Sequence, residues 1–192
     1  MRVLRITKDV YKEEYELGEV LQGGKTEFQT LVSACYTKDA LCFRLVCKAA
    51  HKLVAEYEGP CTPVWRGDVA EVFVSPYGDM HWYYECDVAP NGSNFNAQVY
   101  NPDDRSGYAH CLDDDDVITR AQVVEGGWIA EIEIPFAVIL KEEDLGKIKE
   151  LPWCGNVYRI NMGNGEHSSF APTKTEKITF HVPSAFAKWE FE

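Results

Sequence analysis

Positive charge is what this 192-residue sequence lacks most: 19 Lys and Arg stand against 31 Asp and Glu, a net charge of −12. Nucleic acid and anionic membrane both need clustered cations, so neither is expected as a partner. No apolar run approaches the ~20 residues of a membrane span. Met1-Arg2-Val3-Leu4-Arg5 has no hydrophobic segment behind it. A cytoplasmic location follows if Met1 is the native start, and a secreted or periplasmic one if a signal peptide has been removed. The seven cysteines (Cys35, Cys42, Cys47, Cys61, Cys86, Cys111 and Cys154) are odd in number and form no C-x-x-C pair. They argue neither a disulfide framework nor a zinc site, and read as reduced thiols acting as small hydrophobes in strands. No H-x-x-x-H, G-x-S-x-G, phosphate loop or H-E-x-x-H is present, so no catalytic residue and no metal ligand is assigned. Repeats, low-complexity tracts and linkers are missing as well, and residues 1–192 read as one domain.

What the sequence does have is aromatic residues, at 12%, and many short β-type runs. The central stretch, residues 64–100, holds three of them: Val69 to Val74, Trp82 to Val88 and Asn94 to Tyr100. Pro76-Tyr77-Gly78-Asp79 and Pro90-Asn91-Gly92 separate them, and these residue types supply the fixed or positive φ of tight turns. Upstream, Leu31 to Tyr36 and Leu41 to Cys47 flank another turn, and Val3-Leu4-Arg5-Ile6 reads as an edge strand. Downstream come Val117 to Val124, a turn, and Trp128 to Ile134 with period-two apolar alternation, then Val157 to Met162. One short helix is expected within Phe136 to Glu150. The pattern predicts an all-β chain folded as an antiparallel β-sandwich of jelly-roll or immunoglobulin-like type.

Side chains alternate between faces along a strand. Tyr83, Glu85 and Asp87 therefore share one face, which reads as an ordinary solvated surface. The first central run is apolar on both faces except at Glu71, and a lone carboxylate there needs a partner. Arg66 or Arg159 would serve as a structural ion pair. Asp113 to Asp116 reads as a solvated acidic loop, since EF-hand spacing is absent.

Several segments, taken in order, resemble the family 9 carbohydrate-binding modules and their DOMON-like relatives. Trp65-Arg66-Gly67-Asp68-Val69-Ala70-Glu71-Val72-Phe73 is similar to the family's W-x-x-D-x-x-E-V-F segment. Tyr83-Tyr84-Glu85 through Pro90-Asn91-Gly92 resembles its hairpin, and Gly127 to Phe136 its GW-x-x-E-x-x-IP strand. Asn156-x-x-Arg159-x-Asn161 and Phe180-His181-Val182-Pro183-x-x-Phe186 follow in register. The resemblance implies binding of the terminal or reducing-end sugar of a glycan between two tryptophans, in support of glycan breakdown by a separate glycoside-degrading enzyme. It implies Trp65 as the first tryptophan, Glu71 as a hydroxyl acceptor and Arg159 as a donor. The second tryptophan is missing, and Phe170 is the expected replacement. Structural calcium is also a family trait, with no ligand set that maps onto this sequence.

The residues support the same chemistry independently, because aromatic faces meet the C–H band of a pyranose while carboxylates and amides meet its hydroxyl rim. On that ground Gln98, on the face with Asn96 and Tyr100, joins the expected ligand-binding set. Two alternatives stand beside carbohydrate binding. One is a glycoside hydrolase using a Glu71/Glu85 carboxylate pair; the other is a protein-interaction sandwich that has lost sugar binding.

Overall fold

The computed structural model describes residues 2–105 and 107–192. Strands dominate it: β1 (Val3–Lys8), the short β2 (Tyr15–Glu16) and β3 (Gly18–Glu19), then β4 (Thr30–Tyr36) and β5 (Ala40–Lys48). A 3-10 turn at Val64–Arg66 leads into β6 (Val69–Ser75), β7 (Trp82–Val88), β8 (Asn94–Tyr100) and β9 (Tyr108–Cys111). There follow β10 (Ile118–Val124), β11 (Gly127–Pro135), the helix α1 (Phe136–Ile139), β12 (Cys154–Asn161), β13 (Glu166–Ser169) and β14 (Ala187–Phe191). The helix expected over Phe136 to Glu150 is a single turn, with a 3-10 turn at Glu142–Asp144 behind it. Leu140 leaves helical dihedrals at once, and no side chain caps either end.

The strands join into one curled mixed sheet in the order β10-β11-β5-β4-β1-β14-β12-β6-β7-β8-β9. It is not purely antiparallel as expected, and the exception is β1. Its first residues run parallel to β14 (Val3 opposite Lys188) and its last run parallel to β4 (Lys8 opposite Tyr36). Far from being an edge, β1 is the joint through which the sheet turns from one half to the other. The curl sets the apolar faces of both halves against each other. Phe43, Leu45, Trp128 and Ile132 from one half share a buried core with Ala70, Val72, Val74 and Val88 from the other.

A second apolar cluster lies on the opposite, outer face of β6-β7-β8. There Val69, Phe73, Tyr83, Phe95 and Tyr158 are covered by Phe180 and Phe186 from the segment before β14. Every residue of β6 is consequently buried. This double cover is why Val69 to Ser75 is apolar on both faces while Trp128 to Ile134 alternates. The turn between β7 and β8 places Gly92 at φ +88°, where an L side chain would be strained.

A disulfide between Cys61 and Cys111 corrects the expectation of reduced thiols throughout. It ties the loop before Trp65 to the end of β9 across 50 residues of sequence. The other five cysteines are free. An odd total excludes complete pairing, not a single bridge, and long-range pairing leaves no spacing signature.

Candidate functional site

The outer face of β6-β7-β8 carries a cleft of about 400 Å³. One wall is Trp65, held 40% exposed on the 3-10 turn and set edge-on against Phe95 at 4.8 Å. Asp68 fixes that turn. Fully buried, it accepts the Val54 N–H at 2.7 Å through Oδ2 and the Met162 N–H at 3.2 Å through Oδ1. Gly67 is required there because a Cβ would stand 2.4 Å from the Val54 carbonyl oxygen. The W-x-x-D-x-x-E spacing thus has a local cause: aromatic on the turn, clamp behind it, and Glu71 three residues on with its side chain outward. Phe180, stacked on Tyr158 at 4.3 Å, forms the facing wall with His181.

Three carboxylates meet at the floor. Register places Glu71 of β6 opposite Asp87 of β7, and Phe73 opposite Glu85. One oxygen from each of Glu71, Glu85 and Asp87 lies within 4.8 Å of the other two. All three residues are buried, and Glu71 and Glu85 line the cleft. The solvated face expected for Tyr83, Glu85 and Asp87 is therefore corrected: the segment around Phe180 roofs it over. No protein donor reaches Glu71 Oε1 or either oxygen of Asp87, although Glu85 and Asp87 are close enough to share a proton.

Burial, reinforced by mutual repulsion, drives protons onto this cluster. Glu71 and Asp87 are held well above the usual carboxylate range, and burial pushes Glu85 up to about 8. His181 offers no compensating charge. Its Nε2 stands 3.9 Å from Glu85 Oε2 and its Nδ1 2.6 Å from Tyr83 Oη, yet burial pushes its pKa down to about 4. Neither Lys nor Arg lines the cleft among the described residues.

Of the expected ligand-binding residues, the structure brings Trp65 and Glu71 together and leaves three elsewhere. Arg159 is opposite Ala70 on the inner face of the sheet, where its Nη1 donates to Thr30 Oγ1 at 3.0 Å. It makes no ion pair with Glu71, nor does Arg66. Phe170 is fully buried in the main core, edge-on to Tyr15 and beneath the Arg2 guanidinium at 4.2 Å. Gln98, opposite Tyr84, also belongs to the inner-face parity and lines a separate groove with Trp82. Asp87, Phe95 and Phe180 were not expected in the site, and Glu85 only as half of the hydrolase pair. The signal available for the two acids was strand parity, since both share the Glu71 face, but the roof that buries them has no periodicity to read.

No protein-family model matches the chain. A protein of Arthroderma benhamiae named only as an extracellular protein is 24% identical over 178 residues, which span 85% of this chain and 78% of the relative. Among solved structures, a candidate carbohydrate-binding protein from Bacteroides uniformis superposes with a TM-score of 0.80 at 17% identity, over 100% of this chain and 99% of its own. A family 9 carbohydrate-binding module from Caldicellulosiruptor kristjanssonii matches at 0.67 in its cellotriose complex and at 0.64 in its glucose complex. Both are 11% identical, covering 100% of this chain and 94% and 96% of those chains. At these identities the likeness is one of fold. The chain has a family 9 carbohydrate-binding-module-like fold.

Proposed function

We propose that the chain binds carbohydrate in the Trp65 cleft, taking the terminal or reducing-end sugar of a glycan. It does so without catalysis of its own and in support of a separate glycoside-degrading enzyme. One observation carries this reading: a half-exposed indole stands over buried carboxylate acceptors in a cleft of about 400 Å³, within the ~300–1,000 Å³ range of small-ligand sites. The indole supplies a face for the axial C–H groups of a pyranose, and Glu71 and Glu85 accept from its hydroxyls. The module sharing this fold was solved with glucose and with cellotriose, which makes glucose and short β-glucans the first ligands to try. We take the curled sheet as a two-layer jelly-roll sandwich of one domain, residues 1–192, with the cleft on the outside of one layer.

Calorimetric titration with glucose, cellobiose and cellotriose tests the proposal. Saturable binding is expected, with at least a tenfold loss of affinity in Trp65→Ala. Binding that survives this substitution would move the site elsewhere.

One observation favours a second reading. A glycosidase needs paired carboxyl groups with one kept protonated, and burial raises both Glu71 and Glu85, which supplies the protonated member of such a pair near neutral pH. Turnover of chromogenic glycosides, lost in both Glu71→Gln and Glu85→Gln, would establish hydrolysis, and its absence in the wild type would dismiss it.

A further inference from the structure

We propose that Glu71, Glu85 and Asp87 form a divalent-cation site of the calcium type at the floor of the cleft. Two oxygens on opposite sides of an ion, each roughly 2.4 Å from it, are about 4.8 Å apart. The three carboxylate oxygens here lie within 4.8 Å of one another, so a small movement of the side chains lets one ion touch all three. Magnesium demands near-ideal octahedral geometry and keeps several of its waters, which three buried carboxylates accommodate less readily than calcium's flexible shell. The donors are oxygen alone, which selects hard cations over zinc or copper.

Asp87 argues for an ion over any larger group. It has no exposed surface, and apart from a proton shared with Glu85 no protein donor reaches either of its oxygens. A sugar in the cleft can reach Glu71 and Glu85, which line it, but not Asp87, which does not. Something as small as a bare ion fits between the three. The only basic side chain paired with any of them among the described residues is His181, at 3.9 Å from Glu85. Three buried carboxylates without a cation are costly, and a dication offsets most of their charge. Calcium takes about six to eight oxygens, so positions left on the cleft side are filled by water or by sugar hydroxyls. That last step rests on the carbohydrate-binding reading; the cation site does not.

The test is thermal unfolding of chelator-stripped protein titrated with calcium chloride, with magnesium and sodium chloride as controls. A saturable rise in Tm with calcium is expected, several-fold weaker with magnesium. It should be lost in Asp87→Asn and in Glu85→Gln, both checked for native circular dichroism. No saturable calcium response in the wild type, or a response undiminished in both variants, overturns the site. Sugar titrations run with calcium and with chelator keep the two claims apart. A calcium response without sugar binding upholds the ion and sinks the sugar reading. Sugar binding without a calcium response does the reverse.

Discussion

Raising pH from 6.5 to 8 should destabilise the metal-free protein, through the carboxyl cluster. Glu85 titrates near 8 in the fold against an ordinary 4.5, so between those values the folded chain holds a proton that the unfolded chain has released. Stability therefore falls as pH rises through that window. His181 works the other way: its pKa is lowered from 6.5 to about 4, so its contribution rises with pH over that span. The two slopes oppose each other most strongly below pH 6.5; above it the unfolded chain releases what remains of the His181 proton, which offsets only about 0.4 kcal/mol by pH 8, and the acids dominate. About 1.5 pH units at ~1.36 kcal/mol each gives a loss of about 2 kcal/mol, or about 4–8 °C in Tm for a chain of this size. Glu71 and Asp87, raised by the same burial, add with the same sign. Tyr83, raised above its ordinary range, stays protonated, and stopping at pH 8 keeps the buried thiols protonated as well. Differential scanning fluorimetry in chelator reads the effect directly, and Glu85→Gln should flatten it. A wild-type Tm that is level or rising from pH 6.5 to 8, or an equal slope in Glu85→Gln, would refute the reasoning.

Three further outcomes follow from where the side chains lie. Phe170→Ala should cost about 3–5 kcal/mol in urea unfolding, as a large core truncation does, yet leave sugar affinity unchanged, because Phe170 belongs to the main core and not to the cleft. Gln98→Ala should change neither measurably, since its groove lies on the other side of the sheet. Replacing Cys61 and Cys111 with Ser should lower stability by about 2–4 kcal/mol, the usual effect of opening a loop this long; an unchanged urea midpoint would mean the bridge constrains little.

Much of the strand framework was legible, and for physical reasons. Trp82–Val88 and Asn94–Tyr100 are strands with the bounds read from the sequence, because Pro, Asn and Gly punctuate them on both sides. The parity of Trp128 to Ile134 likewise predicted its buried face. What failed was long-range. The parallel pairing of β1 depends on β14, which is some 180 residues away, and nothing local announces it. The roof around Phe180 is irregular, so its burial of Glu85 and Asp87 left no pattern. Arg159 and Phe170 were assigned by resemblance alone; register puts Arg159 on the wrong face and Phe170 in the main core. Trp65 and Glu71 do line one cleft, because the turn, the clamp and the first strand that place them are contiguous in sequence.

That contiguity makes Asp68 the most informative residue outside the cleft. The carboxylates stand on central strands, which are rigid, whereas Trp65 stands on a turn whose position depends on what holds it. Two backbone N–H groups from separate segments, Val54 and Met162, end on the Asp68 carboxylate, and His51 Nε2 approaches it at 3.6 Å. In Asp68→Asn one of those two donors faces an amide NH₂ in place of an oxygen. Losing a hydrogen bond to a buried charged group costs about 1.5–3 kcal/mol, concentrated on the turn that carries the indole. Sugar affinity should fall several-fold although Asp68 does not line the cleft, and hydrogen exchange should quicken at Val54 and Met162 while β6 and β7 stay protected. Faster exchange with undiminished affinity would mean that the sugar does not depend on where this turn holds Trp65, and the placement of the site on that indole would fall with it.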